Sequence, residues 1–260
     1  MLVVHHIPAD EQDPSKDLPW PGMLNPMLAS TAAFARPLPD VDTSNEQSLI
    51  VKVCGMRDPE NIRAVETAGA DWMGFIHCRT SPRHVEAVPV YLPTRCRRVG
   101  VFVDAPTDTI AERTAAMGLT IIQLHGHETP DYCRVLRQNL PENVALMKML
   151  PIATREDLLR TADYDDAVDL FLLETKRKAT GLAHYGGSGQ QFDWALLDAY
   201  ASIRPFLLSG GIGPEDAATI VHLHHPRLAG VDLNSRFEIQ PALKDAAEIR
   251  KFIQTIRQPS

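Results

Sequence analysis

From residue 49 onward, short apolar runs rich in β-branched residues alternate eight times with stretches of helical period. The predicted strands are residues 49–53, 72–76, 98–103, 120–124, 144–149, 168–173, 205–209 and 229–233. The predicted helices are residues 59–68, 84–92, 108–117, 130–139, 155–162, 192–201, 215–222 and 244–257. Strands separated by helices pair in parallel, and eight units exceed the five or six strands usual in a doubly wound sheet. The pattern therefore predicts an α/β fold, a (β/α)8 TIM barrel over residues 49–260.

Composition narrows the class of protein further. The chain has 260 residues, 44% apolar and 23% charged, and its apolar runs are too short to span a membrane. Its four cysteines (Cys54, Cys78, Cys96 and Cys133) show no metal-binding or disulfide spacing, so free thiols in the cytoplasm are expected. A net charge of −7 argues against nucleic acid as a partner. Nucleic acid and membrane are therefore not expected as partners, and a monomer and a homodimer both remain open.

Residues 1–48 differ in composition from the rest of the chain. They hold seven acidic residues against Lys16 and Arg36, and seven of the 20 prolines, with no sustained period. This composition predicts a flexible, acidic, proline-rich extension in front of the barrel domain. A short docking helix or a weak transit-like stretch over residues 23–38 is the alternative. The start of the chain lacks the basic and apolar regions of a signal peptide.

Glycine and small polar residues follow three consecutive predicted strands near the end of the chain. The segments are Gly186-Gly187-Ser188-Gly189, Ser209-Gly210-Gly211 and Asn234-Ser235. Glycine lets backbone N–H groups approach an anion closely, and barrels often bind phosphate after strands 7 and 8. Each segment alone is as compatible with a simple turn. Together they predict a pocket for a small phosphorylated molecule, to which Gly187, Ser188, Gly189, Ser209, Gly210, Gly211, Asn234 and Ser235 contribute.

Cys54 ends the first strand, and strand alternation places it on the same inward face as Lys52. A thiol at this position is a candidate base, although most free cysteines are small buried core residues. Asp232 on the predicted eighth strand is the expected ion-pair partner of Lys52. That pair is expected to be structural, and Lys52 is also placed to lower the pKa of Cys54.

Two further charged residues follow predicted strands. Glu174 comes directly after the apolar run VDLFLL, where apolar surroundings would raise its pKa into the range of a general acid. Arg83, in the segment SPRHV, has a planar fork of donors suited to a substrate carboxylate. The alternatives are a solvated loop glutamate and an exposed arginine at the start of a helix.

The histidines do not predict a metal site. His222, His224 and His225 lie close together, but they end the seventh predicted helix, on the face of the barrel opposite the active site. His125 and His127 form the other cluster. A histidine near a helix C-terminus is favourable on dipole grounds alone. We therefore expect no bound metal.

Several motifs in order resemble those of the phosphoribosylanthranilate isomerase family of tryptophan biosynthesis. They are VKVCGMRDPENI, GADWMGFI, SPRHV, VGVFVD, IQLHGHE, YGGSGQQFDW, LLSGGIGPEDA and GVDLNSRFE...LKD, spread over residues 50–257. The resemblance implies an Amadori rearrangement of N-(5-phosphoribosyl)anthranilate to 1-(2-carboxyphenylamino)-1-deoxyribulose 5-phosphate. It implies neither a metal nor an organic cofactor.

The resemblance also implies a role for several residues. Cys54 matches the general base that removes the sugar C2 proton, and Arg83 matches the residue that contacts the anthranilate carboxylate. Gln123 and His125 lie in the QLHG motif, where we expect them to line the pocket rather than transfer protons. The glycine-rich segments match the family's phosphate grip.

The sequence departs from the family at three places. Glu174 stands where the family has an aspartate as general acid, and the connection over residues 176–185 is longer than usual. After strand 8, the common Ser-Ser-Gly is Asn234-Ser235-Arg236 and the later Pro-Gly is Pro241-Ala242. Two alternatives therefore stay open beside the isomerase. One is another sugar-phosphate barrel isomerase or lyase, and the other is a non-catalytic barrel that binds a phosphorylated aromatic ligand.

Overall fold

The computed structural model describes residues 49–175 and 193–257. The predicted N-terminal extension, and Gly187, Ser188 and Gly189 with the connection around them, lie outside these residues. Within them, eight parallel strands close into a barrel in the order β1 to β8, which confirms the predicted fold class. The strands are β1 Ile50–Cys54, β2 Trp72–Ile76, β3 Arg97–Phe102, β4 Ile121–Leu124, β5 Ala145–Ile152, β6 Leu170–Thr175, β7 Phe206–Ser209 and β8 Leu228–Leu233.

Helices follow most of the strands. The α-helices are α1 Pro59–Ala68, α2 Thr107–Met117, α3 Pro130–Gln138, α4 Arg155–Leu159, α5 Ala217–Val221 and α6 Ala246–Ile256. The start of α1 shows why they form: Pro59 occupies the first turn, and the Asp58 side chain accepts a hydrogen bond from the Asn61 amide at 2.8 Å. Among residues 49–175 and 193–257, we find no helix with the length and apolar character of a membrane span.

Two predicted helices are wrong. No helix forms over residues 84–92, where the chain is irregular and only His84 pairs with the barrel, through Ile76. Pro89 and Pro93 explain this, because proline donates no helix hydrogen bond and disfavours helical backbone in the residue before it. The predicted helix over 192–201 is a 3₁₀ helix over Trp194–Ala199.

The other predicted helices agree with the structure in position, although two of them are mixed. A 3₁₀ helix over Arg160–Tyr164 continues α4, and one over Pro214–Asp216 precedes α5. Another 3₁₀ helix, over Ser235–Phe237, follows β8 and leads into a short hairpin of β9 Glu238–Gln240 and β10 Leu243–Lys244. The hairpin therefore lies at the C-terminal end of the barrel, beside the predicted site.

The barrel has two hydrophobic layers. Apolar residues on the inner faces of the strands fill its interior, and they include Cys54, Val101, Met147, Leu172 and Leu207. A larger cluster packs the outer faces of the strands against the helices. Side chains alternate along a strand, so residues two positions apart lie on the same face. Where one residue fills the interior, the residue two positions later therefore faces the mouth of the barrel. This alternation brings the polar strand ends together.

Candidate active site

A cleft opens at the C-terminal ends of the strands. The active sites of (β/α)8 barrels lie at this end of the barrel. The predicted site residues that line it are Cys54, Arg83, Gln123, His125, Glu174, Ser209, Gly210, Gly211, Asn234 and Ser235. The structure thus gathers into one cleft every predicted site residue that it describes.

Cys54 lies at the inner end of the cleft with 3% of its surface exposed. Gly74 on the neighbouring strand makes room for it, because a Cβ at Gly74 would stand 2.8 Å from the Cys54 sulfur. One layer below, Lys52 Nζ donates to Asp232 Oδ1 at 2.7 Å, which confirms the predicted ion pair. The thiol is therefore held between a close backbone on one side and a buried ion pair beneath.

The electrostatics around Cys54 differ from the expectation. Burial raises the pKa of the Cys54 thiol above its ordinary value and Asp232 adds to the rise, while the ammonium groups of Lys52 and Lys244 oppose it. Lys52 thus lowers the pKa of Cys54, as expected. The expected net decrease is wrong, however, because burial outweighs Lys52 and the pKa is raised. The site therefore favours the neutral thiol.

Glu174 lies inside β6, as the last but one residue of the strand, and not in the loop after it. Its Oε2 is 3.2 Å from His125 Nε2, and His125 Nδ1 is 2.8 Å from Gln123 Nε2. Because the Gln123 amide donates to Nδ1, the imidazole proton sits on Nε2 and faces the carboxylate. Gln123 and His125 therefore orient Glu174 as well as line the cleft.

Gln123, which lines the cleft, also keeps one acceptor without a partner in the described part of the chain. Its Oε1 is buried and has no hydrogen-bond partner among the described residues. A buried polar atom without a partner is costly, so the atom is suited to accept a hydrogen bond from a ligand hydroxyl.

Arg83 is buried, with 6% of its surface exposed, which overturns the alternative of an exposed residue at a helix start. Its Nε and Nη2 donate to the two carboxylate oxygens of Glu238 at 2.8 and 2.6 Å. Lys244 Nζ in turn donates to Glu238 Oε1 and to Asn234 Oδ1, both at 2.8 Å. Glu238 takes two of the five N–H donors of Arg83 and fixes the plane of the guanidinium at the edge of the cleft.

Sequence reasoning assigned no role to Glu238 and Lys244. Both lie in the quoted motif GVDLNSRFE...LKD, and Lys244 is 1% exposed. A charged side chain that is buried needs a partner of opposite charge. Charged residues between apolar ones are therefore the one signal by which the sequence could have indicated this pair.

Two of the three predicted phosphate segments lie side by side, because β7 pairs with β8. Gly210 and Gly211 have φ angles of +88° and +78°, which side chains rarely tolerate. A Cβ at Gly210 would stand 2.6 Å from the Thr175 amide. The Ser209 side chain is hydrogen-bonded to Asp232, and the Asn234 side chain is hydrogen-bonded to Lys244. The backbone N–H groups of these loops are therefore the better placed donors for an anion.

A buried ion pair holds the loop that carries His125. Lys148 Nζ donates to Glu128 Oε2 and to the carbonyl of Gly126, both at 2.8 Å, and the Lys148 and Glu128 side chains are 2% and 1% exposed. Glu128 also accepts from the amides of Gly126 and Asp104, each at 2.9 Å. The residues that follow β4 are therefore tied to β5, which fixes the position of the imidazole.

Replacing Lys148 with methionine is expected to lower the free energy of unfolding by roughly 3–5 kcal/mol, because it leaves the Glu128 carboxylate buried and uncompensated. Urea denaturation measures this change. The matched control is Lys251→Met, whose partner Glu248 is part of an exposed pair and whose loss is expected to cost less than ~1 kcal/mol. Equal effects of the two substitutions would contradict the structural role of the Lys148 pair.

The family model of N-(5'-phosphoribosyl)anthranilate (PRA) isomerase matches residues 51–255. The chain belongs to the PRA isomerase family. It is 46% identical to the N-(5'-phosphoribosyl)anthranilate isomerase of Phocaeicola vulgatus over 210 residues, which cover 81% of this chain and 98% of that protein.

Solved structures agree with this assignment to the PRA isomerase family. The crystal structure of phosphoribosyl anthranilate isomerase from Thermotoga maritima is 30% identical, with a TM-score of 0.68 over 80% of this chain and 98% of that one. Another crystal structure of a phosphoribosyl anthranilate isomerase, 28% identical with a TM-score of 0.65 and the same coverage, contains reduced 1-(o-carboxyphenylamino)-1-deoxyribulose 5-phosphate.

Within the described ranges, this PRA isomerase chain has no group of three or more His, Cys, Asp or Glu side chains placed to hold a metal ion. His225, from the first histidine cluster, accepts a hydrogen bond from the Arg227 amide at 3.0 Å and packs against Tyr200 and Phe206. His127 pairs with Asp104 on the surface. Local contacts thus account for His225 and His127.

Proposed function

We propose that Glu174 and Cys54 act as acid and base in the isomerisation of N-(5'-phosphoribosyl)anthranilate to 1-(2-carboxyphenylamino)-1-deoxyribulose 5-phosphate. The observation that carries the proposal is that both residues line one cleft from different sides of the barrel, on β6 and β1. An acid and a base at separate points of one pocket are what an aldose-to-ketose rearrangement requires.

In the first step, Glu174 protonates the furanose ring oxygen. The bond between that oxygen and C1 breaks, and the nitrogen lone pair forms a Schiff base at C1. Support comes from His125, which orients the carboxylate through its Nε2 at 3.2 Å. A fixed carboxyl group at the ring oxygen lowers the barrier because the proton is delivered without reorganisation.

In the second step, the thiolate of Cys54 removes the proton from C2. The electron pair of that C–H bond forms the C1–C2 double bond, and the electrons of the Schiff base return to nitrogen. The enolamine then tautomerises: its hydroxyl proton passes to the Glu174 carboxylate, the Cys54 thiol gives a proton to C1, and C2 becomes the ketone. The sequence is an internal rearrangement in which the acid and the base return to their starting forms.

The remaining residues of the cleft are proposed to bind different parts of the substrate. Arg83 is proposed to contact the anthranilate carboxylate with the donors that Glu238 does not use, and Gln123 to accept from a sugar hydroxyl. The loops at Gly210, Gly211, Asn234 and Ser235, together with Gly187, Ser188 and Gly189, are proposed to bind the phosphate. A phosphorylated substrate suits this division, because the cleft offers backbone donors at one end and a guanidinium in its wall.

We also place the protein in the cytoplasm. The four cysteines are free, two of them in the hydrophobic layer between the strands and helices. Free thiols are usual in proteins of reducing compartments.

The purified protein is expected to consume N-(5'-phosphoribosyl)anthranilate, measured as loss of the fluorescence of the aminoaldose. Expression of the chain is expected to restore growth without tryptophan to an auxotroph that lacks this isomerase. Turnover of other sugar phosphates in place of this one would support the isomerase or lyase alternative. Tight binding of the reduced product analogue without turnover would support the non-catalytic alternative.

A further inference from the structure

Arg236 stands in the 3₁₀ helix after β8 and lines the cleft beside Asn234 and Ser235. We propose that Arg236 is a clamp for the substrate phosphate, and that Glu215 competes with the phosphate for it. The inference deepens the proposed function, because it names the cation that determines affinity for the phosphorylated end of the substrate.

The ion pair of Arg236 bridges the two loops to which phosphate binding is assigned. Arg236 Nη2 donates to Glu215 Oε1, and Glu215 lies four residues beyond Gly211 in the 3₁₀ helix after β7. Arg236 lines the cleft, whereas Glu215 is not among the residues of its wall. An arginine of the cleft wall is therefore paired with a carboxylate of a residue outside the wall.

The charges of the cleft favour Arg236 as the cation for the substrate phosphate. The charged arginine and carboxylate side chains of the described wall are Arg83, Glu174, Asp232 and Arg236. Asp232 is compensated by Lys52, and Arg83 is held by Glu238. A phosphate monoester carries nearly two negative charges near neutral pH and needs a cation beside backbone donors.

The two arginines of the cleft wall differ in how deeply they are buried. The side chains of Arg83 and Glu238 are 8% and 5% exposed, so moving Arg83 to a ligand would break a buried ion pair where water cannot take its place. The side chains of Arg236 and Glu215 are 40% and 59% exposed. Water compensates Glu215 when Arg236 leaves it, and an exposed ion pair contributes little to stability. Arg236 is therefore the arginine that can exchange its partner for a phosphate.

This exchange has two opposite consequences. Loss of Arg236 removes charge-assisted hydrogen bonds to the phosphate and weakens its binding. Loss of the charge on Glu215 removes a competitor and strengthens binding. A structural role for the ion pair would instead make both substitutions act in the same direction.

The chain offers a matched control pair on its surface. Arg134 and Asp166 form an ion pair whose side chains are 43% and 64% exposed, close to the values for Arg236 and Glu215. Neither Arg134 nor Asp166 lines the cleft. Arg134→Ala and Asp166→Asn therefore change the net charge in the same way without touching the proposed site.

The test measures the dissociation constant of inorganic phosphate by calorimetry on the full chain, together with KM and kcat for the substrate. Arg236→Ala is expected to weaken phosphate about tenfold and to raise KM in parallel, with kcat largely kept. Glu215→Gln is expected to tighten phosphate about two- to fivefold, the range that an exposed ion pair supports. The double variant Arg236→Ala with Glu215→Gln is expected to bind phosphate like Arg236→Ala alone, and the control variants like the unaltered protein.

Unchanged phosphate binding in Arg236→Ala would overturn the proposal, and so would weaker or equal binding in Glu215→Gln. The Glu215→Gln arm does not depend on how well Arg236→Ala folds. Phosphate binding is measured without turnover. A protein that shows the expected phosphate shifts but does not isomerise the substrate would therefore contradict the proposed function and leave this inference standing.

Discussion

Replacing Cys54 with alanine is expected to lower kcat by about 100- to 10,000-fold, the range that a positioned general base contributes. The thiol is 3% exposed and lies in the cleft against Gly74, so the substitution removes the base and leaves a small gap. Steady-state turnover, followed by the fluorescence of the aminoaldose, measures the effect. KM is expected to change far less than kcat, because the phosphate and carboxylate contacts remain.

Cys133→Ala is the matched control. Cys133 is as buried as Cys54, but it packs in the layer between the strands and helices, outside the cleft. Its replacement is expected to lower stability without changing kcat. Turnover of Cys54→Ala within about threefold of the Cys133→Ala value, far below what a general base contributes, would remove Cys54 from the mechanism.

The pH dependence tests the same role. Burial raises the pKa of the Cys54 thiol, and the active form of this base is the thiolate. The value of kcat/KM is therefore expected to depend on the fraction of Cys54 that is thiolate. As pH rises, kcat/KM is expected to increase about tenfold per pH unit until the thiolate predominates. A profile that is flat from pH 6 to 9 would contradict a thiolate base with a raised pKa.

The positions of the strands could be predicted because the physical cause is local. An apolar run of β-branched residues between turns has few alternatives in an α/β chain, and β2 was predicted at its observed bounds, Trp72–Ile76. The alternation of side chains then placed Lys52 and Cys54 on the inner face. The pair between Lys52 and Asp232 followed from the closure of the barrel between β1 and β8.

The parts that could not be predicted depend on contacts between distant segments. Arg83 meets Glu238 across 155 positions of sequence, so no local pattern announces that pair. The helix expected over 84–92 failed because helical periodicity was given more weight than two prolines. Glu174 was placed after its strand, although pairing with Ser209 and Pro151 extends β6 past it. Strand ends are set by the neighbouring strands as much as by the residues of the strand itself.

Replacing Glu174 with glutamine is expected to lower kcat by about 100- to 10,000-fold, because the amide keeps the shape of the side chain but cannot deliver the proton. The control is Glu156→Gln, an identical change on the exposed surface of α4, which is expected to leave kcat unaltered. His125→Ala is expected to have a smaller effect than Glu174→Gln, because it releases the carboxylate from its hydrogen bond without removing it. The double variant Glu174→Gln with His125→Ala is then expected to have a kcat little lower than that of Glu174→Gln alone.

Glu174→Asp decides whether the site is built around the longer acid. The shorter side chain withdraws the carboxylate by about one C–C bond, ~1.5 Å, from a position that His125 Nε2 defines at 3.2 Å. A displacement of ~1 Å can cost about 100-fold in rate, so a comparable fall in kcat is expected. A fall of this size would mean that Gln123 and His125 hold the glutamate where the ring oxygen arrives. A rise in kcat would mean that the added methylene misplaces the acid, and it would favour a barrel that binds the substrate more effectively than it converts it.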